Sequence, residues 1–427
     1  MRYGPGDDDP KIAAALAASV CSAATEGKAD PRAVAYAERM RLLADRYRDD
    51  ADILSLYAEA EMIATGDEWW DDITGKPGGR LGEVTDRLET MLRTHPGHTG
   101  LNHFMIHAAD APAVAGRAEA ASDRLGALAP KSPHLVHMPS HIFARLGRYG
   151  DAMRVNQAAL AAEDQLDASL ALQGFASVKD WRGHDGQFFW YAALMDGHGD
   201  TALQAARDSA AHDASTDSEI GEFVRSRPAL TLMRLERWGE LLAEPVASGD
   251  KGVARLFGQY TRGVAFARTG KTVQAAKALD DIEAQAGALE QSHAGDGYVD
   301  HLTRDLARVA RERLRAEVAM ARGEAAGALA SESKALELAK DLEASEPPML
   351  AADAQLRLGD LQLRMKRYAD AEQTYRADLL QHPGSGWALR GLARALQAQG
   401  RLAEAADAQR QLDRHWPTAD RALLSLN

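Results

Sequence analysis

The sequence predicts an all-α protein built from tandem helix–turn–helix repeats. Apolar residues recur at helical spacing along the 427 residues, whereas strand-like alternation bounded by turn residues is absent. In addition, segments of one form, a turn followed by a small residue that opens a helix, return along the chain. Their basic interval is 34 residues, as between Ala118 and Ala152. A period of this length is typical of stacked helical hairpins.

The repeats are clearest where a turn precedes the second helix of a hairpin. One is GRYGDAMRVNQAALAAED, beginning at Gly147, and a related one is GRLAEAADAQRQLDRHWP, beginning at Gly400. We call the small residue after each turn the anchor. The anchors are Ala118, Ala152, Ala202, Leu241, Ala275, Ala328, Ala371 and Ala405, and three of their intervals are 34 residues. Longer intervals indicate insertions, and Val84 anchors one further repeat, with an inserted loop at 67–79.

This period resembles that of the tetratricopeptide repeat (TPR) family. The stretches HTGLNHFMIHAAD, HLVHMPSHIFARLGRY, GHDGQFFWYAALMDG and GWALRGLARALQAQG are further similar to a bacterial TPR family with an HxxxH and HMPSH signature. The resemblance, from about Asp50 onward, implies a TPR-like solenoid, a right-handed superhelix with a concave groove lined by the first helix of each repeat. Members generally have helical sequence before the matching part, so we expect a shortened N-terminal end.

The chain is expected to have four parts. These are N-terminal helices at 1–50, His-rich repeats at 51–215, middle repeats with insertions at 216–345, and C-terminal repeats at 346–427.

Composition restricts the classes of partner and the compartment. The formal net charge of −13 argues against nucleic acid, which requires a basic surface. No run reaches the roughly 18 apolar residues of a membrane span. The segment Ile12–Ala24 reads as an amphipathic helix, because the residues before it are acidic rather than basic. The single cysteine, Cys21, excludes an internal disulfide and fits a reducing compartment. A cytoplasmic location is therefore expected.

Histidines are concentrated in one part of the chain. Seven of the 14 lie between positions 95 and 141: His95, His98, His103, His107, His134, His137 and His141. Counting back from the anchors, His107, His141 and Tyr191 are at offset 11. His103, His137 and Gln187 are at offset 15, and His134 and His184 are at offset 18. Because these offsets are three and four apart, the side chains share one face of the first helix of their repeats.

Convergent imidazoles predict a transition-metal site. Zinc, copper, iron and nickel all accept imidazole nitrogen, and His-x-x-x-His on a helix chelates one ion from one face. The first-choice ligands are His103, His107, His137 and His141, followed by His184, and then by His134 and His98. Enough ligands are present for a two-metal site. Zinc and copper are favoured, and iron becomes credible if Glu59 contributes a carboxylate.

Two residues are candidates for catalysis. Glu59 is a potential general base, and Tyr191 is a potential hydrogen-bond partner for a ligand in the groove. If a coordination position stays open, the site supports metal-assisted hydrolysis or oxidation of a small molecule or peptide. Trp69 and Trp70, in the inserted loop, form either a lid over the groove or a hydrophobic plug.

Several alternatives remain open at this point. The histidines can line a hydrogen-bonded groove for an organic ligand, or merely pack and cap helices, especially His98 and His134. The protein can also be a TPR scaffold that holds a peptide or protein partner without catalysis. A pH-sensing groove is a variant of that scaffold, since imidazoles titrate near neutrality.

Overall fold

The computed structural model describes residues 30–66, 69–71, 75–176, 182–212, 218–244 and 252–424. The chain forms two compact units. Unit 1 comprises Met1–Leu146 and Ala161–Gln173, and unit 2 comprises Gly147–Leu160 and Gly174–Asn427. The amphipathic helix predicted at Ile12–Ala24, and Cys21 within it, lie outside the described residues. The predicted four-part division stays a prediction.

Unit 1 is a series of short helices, each packed against the next along the chain. They are α1 (Pro31–Arg46), α2 (Ala51–Thr65), α3 (Leu81–Thr94), α4 (Thr99–Ala108), α5 (Glu119–Leu128), α6 (Pro133–His137) and α7 (Pro139–Arg145), with a 3-10 turn at Ala115–Ala118. The next helix, α8 (Tyr149–Leu172), contributes its last part to this unit.

Unit 2 also consists of helices, and most of them pack against the next along the chain. Its helices after α8 are α9 (Arg182–Met195), α10 (Gly199–His212), α11 (Glu219–Arg234), α12 (Trp238–Ala243), α13 (Gly252–Arg268), α14 (Thr272–Ser292), α15 (Tyr298–Ala321), α16 (Ala325–Leu338), α17 (Lys340–Glu343), α18 (Ala354–Arg364), α19 (Tyr368–Gln381), α20 (Gly386–Ala398), α21 (Leu402–His415) and α22 (Arg421–Leu424).

The prediction of an all-α, TPR-like helix–turn–helix fold is confirmed. Among the described residues, extended pairing is limited to one isolated bridge between Trp70 and Pro77. Every anchor is buried: seven of them are 0% exposed, Leu241 is 1% exposed and Ala405 is 9% exposed. Small buried residues let two helices approach closely, and this accounts for the alanine at most anchors.

The turn before each anchor has a repeated backbone conformation. Five positions before eight of the nine anchors, φ is positive, between 49° and 77°. The residues concerned are Gly79, Gly147, Gly197, Glu236, Gly270, Gly323, Lys366 and Gly400. A left-handed residue ends a helix, and glycine adopts it without a Cβ penalty. The exception among the described residues is Ala113, in the repeat that carries the 3-10 turn.

The core of unit 1 fixes the orientation of α4. Leu101, Met105 and Ile106 are fully or almost fully buried in a cluster with Tyr57, on α2, and with core residues of α3. His103 and His107 are only partly buried, so they lie at the edge of this core rather than within it. None of the described helices combines the length and the apolar character needed to cross a membrane.

Candidate metal centre

Three histidine rings of unit 1 meet at their Nε2 atoms. The Nε2 atom of His103 lies 3.1 Å from that of His107 and 3.1 Å from that of His134. One nitrogen from each of the three rings lies within 4.8 Å of the others. We call His103, His107 and His134 the histidine triplet. It joins the two histidines of α4 to the first histidine of α6.

These distances match the spacing of metal ligands. Two nitrogens bound at tetrahedral angles to one zinc ion are about 3.3 Å apart, given Zn–N bonds of about 2.0–2.1 Å. Hydrogen bonds fit less well, because an imidazole nitrogen has one in-plane site, either an N–H or a lone pair. The Nε2 atom of His103 would have to share that site between two neighbours.

Burial and mutual repulsion keep the rings of His103 and His107 neutral. Burial, together with the nearby charges of His107 and His134, lowers the pKa of His103 to about 3. Burial likewise lowers the pKa of His107 to about 4, with contributions from His141 and His134, while Asp110 opposes the shift. Metals bind imidazole only in its neutral form, so rings with such pKa values do not need to lose a proton at neutral pH before binding.

Local sequence sets the start and the packing of α4. His98 is its N-cap, where the Nδ1 atom accepts a hydrogen bond from the backbone N–H of Leu101 at 3.1 Å. The buried Asn102 donates through its side chain to the carbonyls of Pro96 and His98. With α4 held in this way, the i, i+4 spacing brings the rings of His103 and His107 together.

Trp69 and Trp70, which belong to the inserted loop, pack against α2 and α4. Trp70 donates from Nε1 to the carbonyl of Ala108 at 2.8 Å, and Trp69 donates to the carbonyl of Met62 at 3.2 Å. The ring of Trp69 stands edge-on to that of His107, with the centroids 6.1 Å apart. Both tryptophans also contact the core of unit 1. They therefore pack as a plug, and Trp69 in addition forms one side of the histidine triplet.

The histidines of the HMPSH stretch are divided between two short helices. Pro139 has no amide hydrogen and cannot donate to the carbonyl of Leu135, so the segment splits into α6 and α7. His134 and His141 belong to different groups of converging ligand atoms. His134 joins the triplet, whereas His137 and His141 face each other.

His137 and His141 form the second group, which we call the histidine pair. Their Nε2 atoms lie 3.1 Å apart. The Nδ1 atom of His141 lies 2.9 Å from Oδ2 of Asp110, and Arg145 donates from Nε to the other carboxylate oxygen at 2.6 Å. Burial raises the pKa of Asp110, but the charges and hydrogen bonds of His141 and Arg145 outweigh it and hold this pKa below its usual range. Asp110 is therefore an ionised acceptor that orients His141.

Two other predicted site residues of unit 1 have different surroundings. His98 uses both ring nitrogens, because its Nε2 atom lies 3.1 Å from Oδ1 of Asp52 while Nδ1 caps α4. It lies outside the triplet and fits the capping alternative instead. Glu59 is exposed on α2, where its charge acts on the Tyr36 hydroxyl. Glu59 belongs to none of the potential metal-binding groups among the described residues.

The remaining predicted residues lie in unit 2. His184 is on α9, and its ring stands edge-on to Phe188 with centroids 5.1 Å apart. Gln187, at the offset occupied elsewhere by histidine, lies 3.4 Å from the carbonyl of Pro347, to which its side chain donates. Tyr191 is 3% exposed and packs edge-on against Tyr149. The metal-binding role of His184 and the catalytic role of Tyr191 stay predictions.

Asp110 and Arg145 are the residues that the sequence reasoning missed. Asp110 follows α4 directly and stands three residues after His107, in the same HTGLNHFMIHAAD stretch. A carboxylate beside a run of histidines is a usable signal, because metal-bound imidazoles commonly donate their second nitrogen to one. Arg145 lies four residues after His141 on α7. This i, i+4 spacing places the two side chains on one side of the helix and could have indicated that they share a partner.

Comparisons with known proteins add no family. No family model matches the chain, and no curated protein matches it. Solved structures with similar folds include Naa15/Naa10 bound to HypK-THB, at 14% identity and a TM-score of 0.37, over 92% of this chain and 62% of that one. This chain therefore spans less than two thirds of that protein's length.

Two further structures consist of helical repeats. The TPR domain of P58(IPK) has 12% identity and a TM-score of 0.23, over 81% of this chain and 91% of that one. Yeast Tom70 has 12% identity and a TM-score of 0.25, over 78% of this chain and 88% of that one. At these TM-scores the likenesses bear on neither ligand nor partner.

Proposed function

We propose that this protein binds a transition-metal ion through the Nε2 atoms of His103, His107 and His134. The observation that carries the proposal is the convergence of three nitrogens, from two separate helices, at ligand spacing. The i, i+4 pair on α4 supplies two ligands from one helix face, and α6 supplies the third. The low pKa values of His103 and His107 support the proposal, because both rings are neutral at physiological pH.

The composition of the triplet favours zinc or copper. Imidazole suits both ions, and the triplet contains no thiolate, which structural zinc sites commonly use. Three protein ligands leave a fourth position for water or substrate, as in catalytic rather than structural zinc sites.

An open position makes the proposed centre a site for chemistry on a small molecule or peptide. A bound ion polarises a carbonyl or phosphoryl oxygen, or lowers the pKa of a coordinated water so that hydroxide forms near neutral pH. Hydrolysis follows from zinc in this position, and oxidation requires copper or iron. The side chain of Trp69 bounds the site on one side and limits the ligand that fits next to His107.

Metal analysis of protein purified without an affinity tag tests the proposal. We expect at least one equivalent of zinc or copper per chain after reconstitution and removal of loosely bound ions. In the double variant His103→Gln/His107→Gln, the triplet should lose its ion. His95→Gln is the matched control, because His95 is an exposed histidine of unit 1 that contacts Thr94 rather than the triplet.

The outcome that overturns the proposal is a content below a tenth of an equivalent that reconstitution does not raise. If His103→Gln/His107→Gln binds as much metal per chain as wild-type protein, the assignment of the ligands is wrong. Circular dichroism of the variant shows whether its helices are intact, so that a loss of metal is not mistaken for unfolding.

A further inference from the structure

The geometry points to a second metal position, formed by His137 and His141 of unit 1 and oriented by Asp110. Together with the histidine triplet it would make a two-metal centre. This inference rests on the proposed metal binding by the triplet, and it adds a second ion and a positioning carboxylate.

The histidine pair has ligand geometry of its own. The two Nε2 atoms are 3.1 Å apart, again close to the value of about 3.3 Å for two nitrogens on one zinc ion. His137 is 1% exposed, and the side chain of His141 is 10% exposed. Two buried imidazoles with their ε nitrogens in contact need something between them, either a proton or a metal ion.

Asp110 determines which nitrogen of His141 carries its proton. The carboxylate of Asp110 accepts from Arg145 through Oδ1 and lies 2.9 Å from Nδ1 of His141 through Oδ2, so in this arrangement Nδ1 of His141 donates to it. In the tautomer that carries its proton on Nδ1, the Nε2 atom of His141 presents a lone pair towards His137. This arrangement, a carboxylate behind an imidazole, is common behind metal-bound histidines, where it fixes the tautomer and the orientation of the ring. Arg145 holds the carboxylate in place from its other oxygen.

The same aspartate places the pair next to the triplet. The backbone N–H of Asp110 donates to the carbonyl of His107 at 3.3 Å. Asp110, which accepts from His141, therefore lies one turn beyond a ligand of the triplet. Helices α4 and α7 also pack against each other. A ligand atom such as the oxygen of a phosphoryl, carboxyl or carbonyl group can bridge two ions held in neighbouring positions.

A hydrogen-bonded chain without metal is the competing explanation. Ser140 Oγ lies 3.4 Å from Nδ1 of His137. If Ser140 donates to that nitrogen, the proton of His137 sits on Nε2 and is donated to His141. In the metal-bound alternative, the proton sits on Nδ1 and is donated to Ser140. The two alternatives differ in the tautomer of His137 and in the number of ions bound.

Copper titration of the full chain separates them. We expect the wild-type protein to bind two equivalents of Cu²⁺, with an electron paramagnetic resonance spectrum that shows coupling between two ions. The variant His137→Gln/His141→Gln should bind one equivalent and give an uncoupled spectrum. The variant His103→Gln/His107→Gln should likewise retain one equivalent, at the histidine pair.

Each contrary outcome has a distinct meaning. If wild-type protein binds one equivalent of Cu²⁺ and His137→Gln/His141→Gln binds the same amount, the second position is wrong and the triplet proposal stands. If the single equivalent of Cu²⁺ is lost in His137→Gln/His141→Gln but kept in His103→Gln/His107→Gln, the triplet proposal is wrong, and so is the two-metal centre. If the variant of the buried pair does not fold, the wild-type spectrum decides, because a spectrum without coupling at saturation overturns the second position.

Discussion

Oδ2 of Asp110 and Nδ1 of His141 lie 2.9 Å apart, and this contact ties the end of α4 to α7. The same carboxylate also receives a hydrogen bond from Arg145. A buried, ionised acceptor in this position controls the tautomer of His141 and thus the direction of its lone pair. The contact is therefore the most direct place to test whether the histidine pair is a metal position.

Asp110→Asn should weaken metal binding at the histidine pair by about 10- to 100-fold, the usual effect of removing a carboxylate behind a metal-bound histidine. The amide keeps the shape but can donate to His141, so it no longer enforces one tautomer. Isothermal titration with Zn²⁺ measures the change. Asp86→Asn is the control, since Asp86 is an exposed partner of Arg117. Equal affinities of Asp110→Asn and the control would remove the positioning role.

The stability of the metal-free protein should decrease as the pH falls below about 6.5. The pKa values of His103 and His107 are about 3 and about 4 in the folded chain, below the ordinary value of 6.5. Between these values the unfolded chain binds more protons than the folded chain, so acid favours unfolding. The loss in the free energy of unfolding is absent well above pH 6.5 and grows progressively as the pH falls towards 3–4.

Urea unfolding at pH 7, 6 and 5 measures this dependence. Each histidine contributes at most about 1.4 kcal/mol per pH unit to the free energy of unfolding. The variant His103→Gln/His107→Gln should therefore show a shallower slope than wild-type protein, with His95→Gln as the control. An identical slope in all three proteins would show that the two rings are not held neutral by the fold.

Trp69 should report on metal binding through its fluorescence. Its ring is in edge-on contact with His107, so a Cu²⁺ ion at the triplet would lie close to it and quench its emission. The decrease on adding Cu²⁺ should be clearly smaller in Trp69→Phe than in Trp238→Phe. Trp238, on α12 in unit 2, contacts Arg268 instead. The same decrease in both variants would place the ion away from Trp69.

The repeated left-handed turns predict opposite effects of two substitutions. Lys366 has φ of 58° where most repeats have glycine, so Lys366→Gly should stabilise the fold by about 1 kcal/mol. Gly400→Ala should destabilise it by about the same amount, and only through the backbone, because a Cβ there meets nothing within 4 Å. Urea unfolding of both variants measures this. A loss of stability in Lys366→Gly would contradict the strain argument.

Much of the fold can be predicted from local sequence. The anchors mark buried helix contacts, and the turn five positions earlier usually carries glycine because its backbone is left-handed. Both features depend on residues close together in the chain. The insertions interrupt the period but do not change this local chemistry, so the repeats remain recognisable on either side of them.

The partners of individual histidines could be predicted only in part. Offset counting paired His103 with His107 and His137 with His141, and both contacts are present within unit 1. It ranked His134, together with His98, last among the ligands, yet His134 lies in the triplet. Counting positions along one helix does not show how neighbouring helices pack, and it is this packing that brings His134 to His103.

The amino-acid sequence by itself determined that the chain is helical, that its helices form repeated hairpins, and that imidazoles are concentrated on a few helix faces. These properties follow from periodicity, glycine turns and residue type. Only the tertiary structure decided that the α4 histidines meet His134, that His98 caps a helix, and that Asp110 orients His141. Such contacts depend on how neighbouring helices pack and on the break at Pro139, to a precision of about one ångström that spacing along the chain does not specify.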